Sequence, residues 1–185
     1  MANLDAPNGL KPVRHLTGGV IRTEEFKIAS GLTTAIFTGD CVKLLGTGYI
    51  DECDAGDRIL GVFAGCSYAN SSGEQIFSRQ WTASATTQGS VDVTAYVYSD
   101  PQIVFAVQSA GSADFADIGQ LADIVATAGD TNTGQSKHEI SGTTGTGTAG
   151  LRILGLYEEP KNAYGTNGVL EVQIYEHELS FATGV

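Results

Sequence analysis

Several groups of residues in this sequence have types and spacings that chemistry could use. Residues 145–150, Gly-Thr-Gly-Thr-Ala-Gly, spell G-x-G-x-x-G, which lets a backbone approach a pyrophosphate at a helix N-terminus. That chemistry needs a strand before the pattern and a helix after it. Here a polar Gly/Thr run precedes it and the apolar segment 151–156 follows, so the expected structure is a loop. Asp51, Glu52, Asp54 and Asp57 gather oxygen donors, and Asp130, Asn132 and Gly134 begin like a calcium loop. Neither completes the twelve-residue pattern with its closing Glu, since Glu139 falls at position ten counted from Asp130. Solvated carboxylates are expected at both, with no metal.

The histidines His15, His138 and His177 are scattered, whereas a metal enzyme on a β-barrel usually pairs two on one strand. A metal at one of these three is the remaining route to a small barrel enzyme. In Glu176-His177-Glu178, strand alternation puts His177 opposite its acidic neighbours, as at a strand leaving a sheet. Cys41, Cys53 and Cys66 are odd in number and lack C-x-x-C spacing. Neither a disulfide framework nor a structural zinc site is expected; buried thiols made in a reducing cytoplasm are. No G-x-S-x-G occurs, nor a Cys/His pairing that marks a reactive thiol. The chain is therefore expected to be non-enzymatic and to bind no cofactor. Trp81, Tyr96 and Tyr98 could stack sugar rings or meet a protein partner, against the alternative of ordinary packing.

Composition narrows the classes. The chain of 185 residues is 42% hydrophobic but only 17% charged, with 24 glycines, which suits short strands and turns. A net charge of −11 opposes nucleic-acid binding, which requires Lys and Arg to neutralise phosphates. Lys11, Arg14 and Arg22 against Asp5 make residues 1–22 net +2, which leaves −13 on residues 23–185. A basic arm on an acidic body is a candidate contact arm. No apolar h-region opens the sequence and no stretch of 18 apolar residues occurs, so neither a secretory signal nor a membrane span is expected.

The elements that would position these residues are mostly strands. Pro7, Pro12, Asn8-Gly9 and Gly18-Gly19 punctuate residues 1–19, read as an extended N-terminal arm before a single β-domain over 20–185. Residues 20–29 read as a strand with Ile21, Phe26 and Ile28 inward. Segments 33–37 and 41–45 flank the turn Thr38-Gly39-Asp40 as a hairpin, and 58–66 reads as a buried strand. Residues 91–98 alternate Val91, Val93, Ala95 and Val97 against Asp92, Thr94, Tyr96 and Tyr98, and 103–107 returns after Ser99-Asp100-Pro101 as a second hairpin. Phe115, Ile118, Leu121, Ala122 and Val125 fall on a helical stripe, with Asp114 as N-cap and Gly129 as stop, predicting one short helix over about 115–127. Segments 151–157 and 169–179 close the chain. Roughly nine or ten short antiparallel strands result, an all-β barrel or sandwich.

The opening run MANLDAPNGLKPVRHLTGG resembles the start of the capsid decoration (cement) proteins of tailed bacteriophages. Further segments resemble that family in the same order: Phe26-Lys-Ile-Ala-Ser with Thr38-Gly-Asp and Val42-Lys; residues 61–68; residues 98–108; and 154–165 leading into Val169-Glu-Val. The resemblance covers most of the chain in short pieces. It implies a structural virion protein on the capsid exterior, made in the host cytoplasm, that binds the major capsid protein and stabilises the mature shell. It also implies a homo-oligomer, a trimer ahead of a dimer. Lys11, Pro12, Val13, Arg14, His15, Leu16 and Arg22 are the expected capsid contacts. The competing expectation is a carbohydrate-binding or host-adhesion module of a virion that uses Trp81, Tyr96 and Tyr98.

Overall fold

Two neighbouring strands show how the sequence sorts itself into layers. Strand β9 (Val93–Tyr98) alternates buried and half-buried residues, whereas β10 (Ile103–Gln108) is buried at every position. An alternating strand covers one face of a core, and a continuously apolar one is packed on both faces. In the computed structural model, which describes residues 3–145, 147 and 149–180, the two strands lie in different sheets. The expected hairpin is therefore corrected: the turn at Ser99-Asp100-Pro101 is present, but it carries the chain from one sheet to the other. The Thr38-Gly39-Asp40 turn behaves likewise. Strand β3 (Ile36–Phe37) pairs with β8 (Gln80–Trp81), while β4 (Cys41–Leu44) pairs with β5 (Ile50–Glu52) and β6 (Gly61–Ala69).

The first sheet has the order β1-β10-β17-β15-β12, with β1 (Lys11–His15), β12 (Leu121–Ala122), β15 (Leu151–Leu156) and β17 (Val169–Ile174). The second has the order β2-β9-β6-β4-β5, with β2 (Glu24–Ile28) at one edge and β7 (Gln75–Ser78) added to β6. Short pairs complete the frame: β3 with β8, β11 (Ser112–Ala113) with β16 (Gly165–Thr166), and β13 (Ile124–Val125) with β14 (Glu139–Ile140). All the sheet pairings are antiparallel and no barrel closes, so the fold is all-β and sandwich-like. Ile103, Phe105, Val107, Leu151, Ile153, Leu170 and Val172 from the first sheet share a core with Cys41, Cys53, Ile59 and Val62. The second sheet wraps its other face round Ile28, Val42, Phe63, Trp81, Val93, Ala95 and Val97. Adjacent residues of β4 and β6 thus feed two different cores. No helix of the described residues is long and apolar enough to cross a membrane.

The expected helix over 115–127 is also corrected. Asp114 does cap, accepting from Phe115 N–H at 2.9 Å, but only a 3-10 turn at Phe115–Asp117 follows. Gly119 at φ +86° ends that turn, and Leu121–Ala122 and Ile124–Val125 continue as strands. The apolar stripe is divided accordingly: Leu121, Ala122 and Ile124 are buried while Phe115 and Ile118 are exposed.

Residues 3–15 are extended, but they are no separate arm. Lys11–His15 form the edge strand β1 against β10, with Lys11 opposite Ala106 and Arg14 opposite Val104. Leu10 is 1% exposed in the first core, and burying a leucine contributes about 2 kcal/mol. Residues 3–8 lie back on the same domain. Asn3 Nδ2 donates to the carbonyls of Ala163 and Thr166 at 2.8 and 2.9 Å, and Ala6 N–H donates to Gln108 Oε1 at 2.9 Å. A stretch without helical spacing reads equally as arm or strand; β10, whose backbone needs a second partner, decides it.

Candidate functional site

Strand β1 assembles the residues expected to contact a partner. Lys11 and Arg14 are exposed, and Pro12, Val13 and His15 are half-buried. Arg14 is held by Glu171 on β17 at 2.7 Å, and Arg22 in the following loop by Glu24 at 3.1 Å. The basic residues are therefore partly neutralised by the chain's own carboxylates. His15 Nδ1 accepts from the backbone N–H groups of Thr17 and Gly19 at 3.3 and 3.2 Å. That places the ring proton on Nε2, which donates to Asp100 Oδ2 at 3.2 Å. Leu16, 40% exposed, and Val20, 85% exposed, flank this turn, and Leu4, 81% exposed, lies on the preceding segment. Pro12 has no N–H, and a bulge between Pro12 and Arg14 shifts the register. Both features blunt a sheet edge against a further strand. Any contact here uses the face that carries Lys11 and Arg14.

The possible aromatic patch of Trp81, Tyr96 and Tyr98 does not form, and ordinary packing, the alternative to it, is what these residues do. Trp81 is 0% exposed, edge-on to Tyr68 with ring centroids 5.5 Å apart, and its indole N–H donates to Leu32 C=O at 3.2 Å. A lone Trp on a short strand is the largest side chain available to fill the second core, and it does so. Tyr96 is half-buried with its hydroxyl 3.1 Å from Ser67 Oγ, and Tyr98 packs on the first core. The exposed aromatic of this sheet is Phe77.

The acidic run 51–57 disperses into separate contacts. Asp57 pairs with Lys43 at 2.6 Å and accepts from Asp54 N–H at 2.9 Å, which makes a closed turn. Asp130 accepts from Asn132 N–H at 2.8 Å, again a turn. Residues 146 and 148 of the glycine pattern lie outside the described residues; the run leads into β15 and not into a helix. Cys41, Cys53 and Cys66 are buried and unbridged, and burial pushes the Cys66 thiol up to about 12. His177 is buried too, which pulls its pKa below the usual value.

One cluster joins two residues that the sequence offered separately, Glu52 and His138, to a third, Asp40. Asp40 from the β3–β4 turn, Glu52 at the end of β5 and His138 just before β14 bring their polar atoms within 4.8 Å of one another. The side chains of Asp40 and His138 are fully buried, and Glu52 is 22% exposed. Asp40 Oδ2 accepts from Phe37 N–H at 2.6 Å. Its Oδ1 is 3.4 Å from His138 Nε2 yet makes no hydrogen bond, because the ring hydrogen is directed at Glu52 Oε1, 2.9 Å away. Burial raises Asp40 from 3.8 to about 6, against the opposing pull of His138, Ser136 and the Phe37 N–H.

The tautomer decides what this cluster can hold. Cys41 N–H donates to His138 Nδ1 at 3.3 Å, so Nδ1 carries the lone pair and Nε2 the proton. A metal bound at Nε2 would require the reverse, with Nδ1 protonated and facing another N–H. The donor set therefore suits a shared proton and not a cation. Sequence spacing could not have shown this, since Asp40, Glu52 and His138 lie on three separate elements.

No protein-family model, curated protein or solved structure matches this chain.

Proposed function

We propose that this chain is a structural virion protein that binds the outer surface of a tailed-phage capsid and stabilises the mature shell. The reading rests on the ordered segments that resemble the decoration family. It is supported by one structural observation: of the expected contact residues, Lys11 and Arg14 are exposed on the edge strand β1, and exposed Leu16 follows it directly. A protein that binds only the expanded lattice stabilises it by mass action, by about 2.7 kcal/mol per site at a hundredfold excess over its Kd. A homo-oligomer, a trimer ahead of a dimer, spans several capsid subunits and gains avidity without new contacts. The Lys11 and Arg14 charges contribute orientation and encounter rate toward an acidic partner more than affinity. No catalytic step, cofactor, nucleic acid or membrane enters this role.

Deleting residues 1–19 is a poor test, because it would unpair β10 and uncover Leu10's place in the core. Lys11→Glu with Arg14→Glu keeps β1 and reverses the face. The folded double variant should fail to co-sediment with expanded shells of the parent phage, whereas the unaltered chain co-sediments. Equal binding by both proteins would remove this face as the contact. No binding by the unaltered chain would remove the function.

A further inference from the structure

We propose that residues 3–16 are exchanged between copies of this chain, β1 of one copy completing the first sheet of its neighbour. The inference goes beyond shell binding and does not depend on a capsid. It starts from how the segment is held. Among the described residues strand β1 pairs with β10 alone, at the sheet's edge. Residues before it are fixed by Asn3 to Ala163 and Thr166, by Gln135 Nε2 to Asn8 C=O at 2.8 Å, and by Leu10 N–H to Gly39 C=O at 2.9 Å. All these partners are remote in sequence, so a neighbouring copy can supply them with the same geometry.

The linker is built differently. Residues 17–20 are all exposed, whereas Ile21 packs on the first core and marks where the body begins. Gly18 at φ +76° has open space where a side chain would stand. Among the described residues only local bonds shape this turn: Gly18 N–H to His15 C=O at 3.1 Å, and Thr17 and Gly19 N–H to His15 Nδ1. Straightened, four residues span about 13 Å, enough to hand β1 to an adjacent copy but not a distant one. Leu16 and Val20, uncovered in a single chain, would then lie against the linker of that copy.

Charge suits another copy as the occupant. The exchanged residues 3–16 carry Lys11 and Arg14 against Asp5, net +1, while residues 23–185 are −13, so a neighbour's acidic body receives the segment as the chain's own does. The Arg14–Glu171 pair would become a contact between chains. Simple edge-to-edge pairing is the rival geometry, and Pro12 with its bulge opposes it. Exchange conserves the bonds of β1 and of the segment before it, gives up only the local turn bonds of residues 17–20, and adds the linker contact, which is why it is a low-cost route to oligomers.

Arg14→Cys with Val104→Cys tests it, since these residues face each other across β1 and β10 and the native cysteines are buried. Oxidised and run unreduced on a denaturing gel, the full chain should give covalently joined chains. A short Gly/Ser insertion between Gly18 and Gly19 should return the link to within one chain. As a second measurement, light scattering on the chain without new cysteines should give an oligomer, which the same insertion converts to single chains. A link within one chain of the uninserted oligomer would overturn the proposal. So would a single-chain mass for the unaltered protein, or an oligomer indifferent to the insertion.

Discussion

Asp40→Asn isolates the buried proton cluster. The folded pKa of Asp40, about 6, lies above its ordinary 3.8, so the folded protein binds this proton more tightly than the unfolded chain does. Its contribution to stability is fully present below pH 3.8 and is lost as pH rises through 6. At 1.36 kcal/mol per pKa unit the whole effect is about 3 kcal/mol, of which about half falls between pH 5 and 7.5. Glu52 and His138 are the titratable groups that face Asp40, so the loss belongs to the cluster as a unit. Asparagine retains an acceptor for Phe37 N–H but cannot titrate. Urea unfolding followed by the fluorescence of Trp81, the only tryptophan, reads both proteins. The stability of the unaltered chain minus that of Asp40→Asn should fall by about 1 to 2 kcal/mol from pH 5 to pH 7.5. A difference independent of pH would mean that nothing at position 40 takes up a proton on folding, contrary to the raised pKa of Asp40.

Trp81→Ala should cost about 3 to 5 kcal/mol of stability in urea titration, because it empties the second core. Gly9→Ala should lose at least about 2 kcal/mol in the same assay. Gly9 sits at φ +67°, and a Cβ there would stand 2.4 Å from Ser136 Cβ and 2.6 Å from Gly39 O. Zinc or cobalt added in excess should leave Tm unchanged, since Cys41 N–H fixes the His138 tautomer that cannot ligate through Nε2. A stoichiometric cobalt absorption band lost in His138→Gln would contradict that assignment.

Much of the secondary structure could be read from residue order. The alternating segment 91–98, the buried run 58–66 and the final segments 151–157 and 169–179 each contain a strand, although the last ends at Ile174, five residues short of its expected end. Pairing was less legible. A tight turn such as Thr38-Gly39-Asp40 reverses the chain without saying whether the flanking strands bond to each other, and here they do not. The contrast between alternating β9 and continuously apolar β10 was the available clue that they belong to different sheets. The helical stripe at 115–125 misled because its spacing also fits two short strands after a one-turn cap, and Gly119 ended the turn. For the site, β1 collects the expected contact residues, but their pairing with Glu171, Asp100 and Glu24 depends on tertiary structure. The Asp40–Glu52–His138 cluster, drawn from three distant elements, had no local signature at all.

A density map of the parent virion is the direct test of the proposed place of this two-sheet domain on the outside of a phage shell. Sandwich-shaped density should be seated on the outer capsid surface around a local symmetry axis, with the Lys11–Arg14 face toward the shell. Absence of the chain from the virion, or its density inside the shell or confined to the tail, would contradict it.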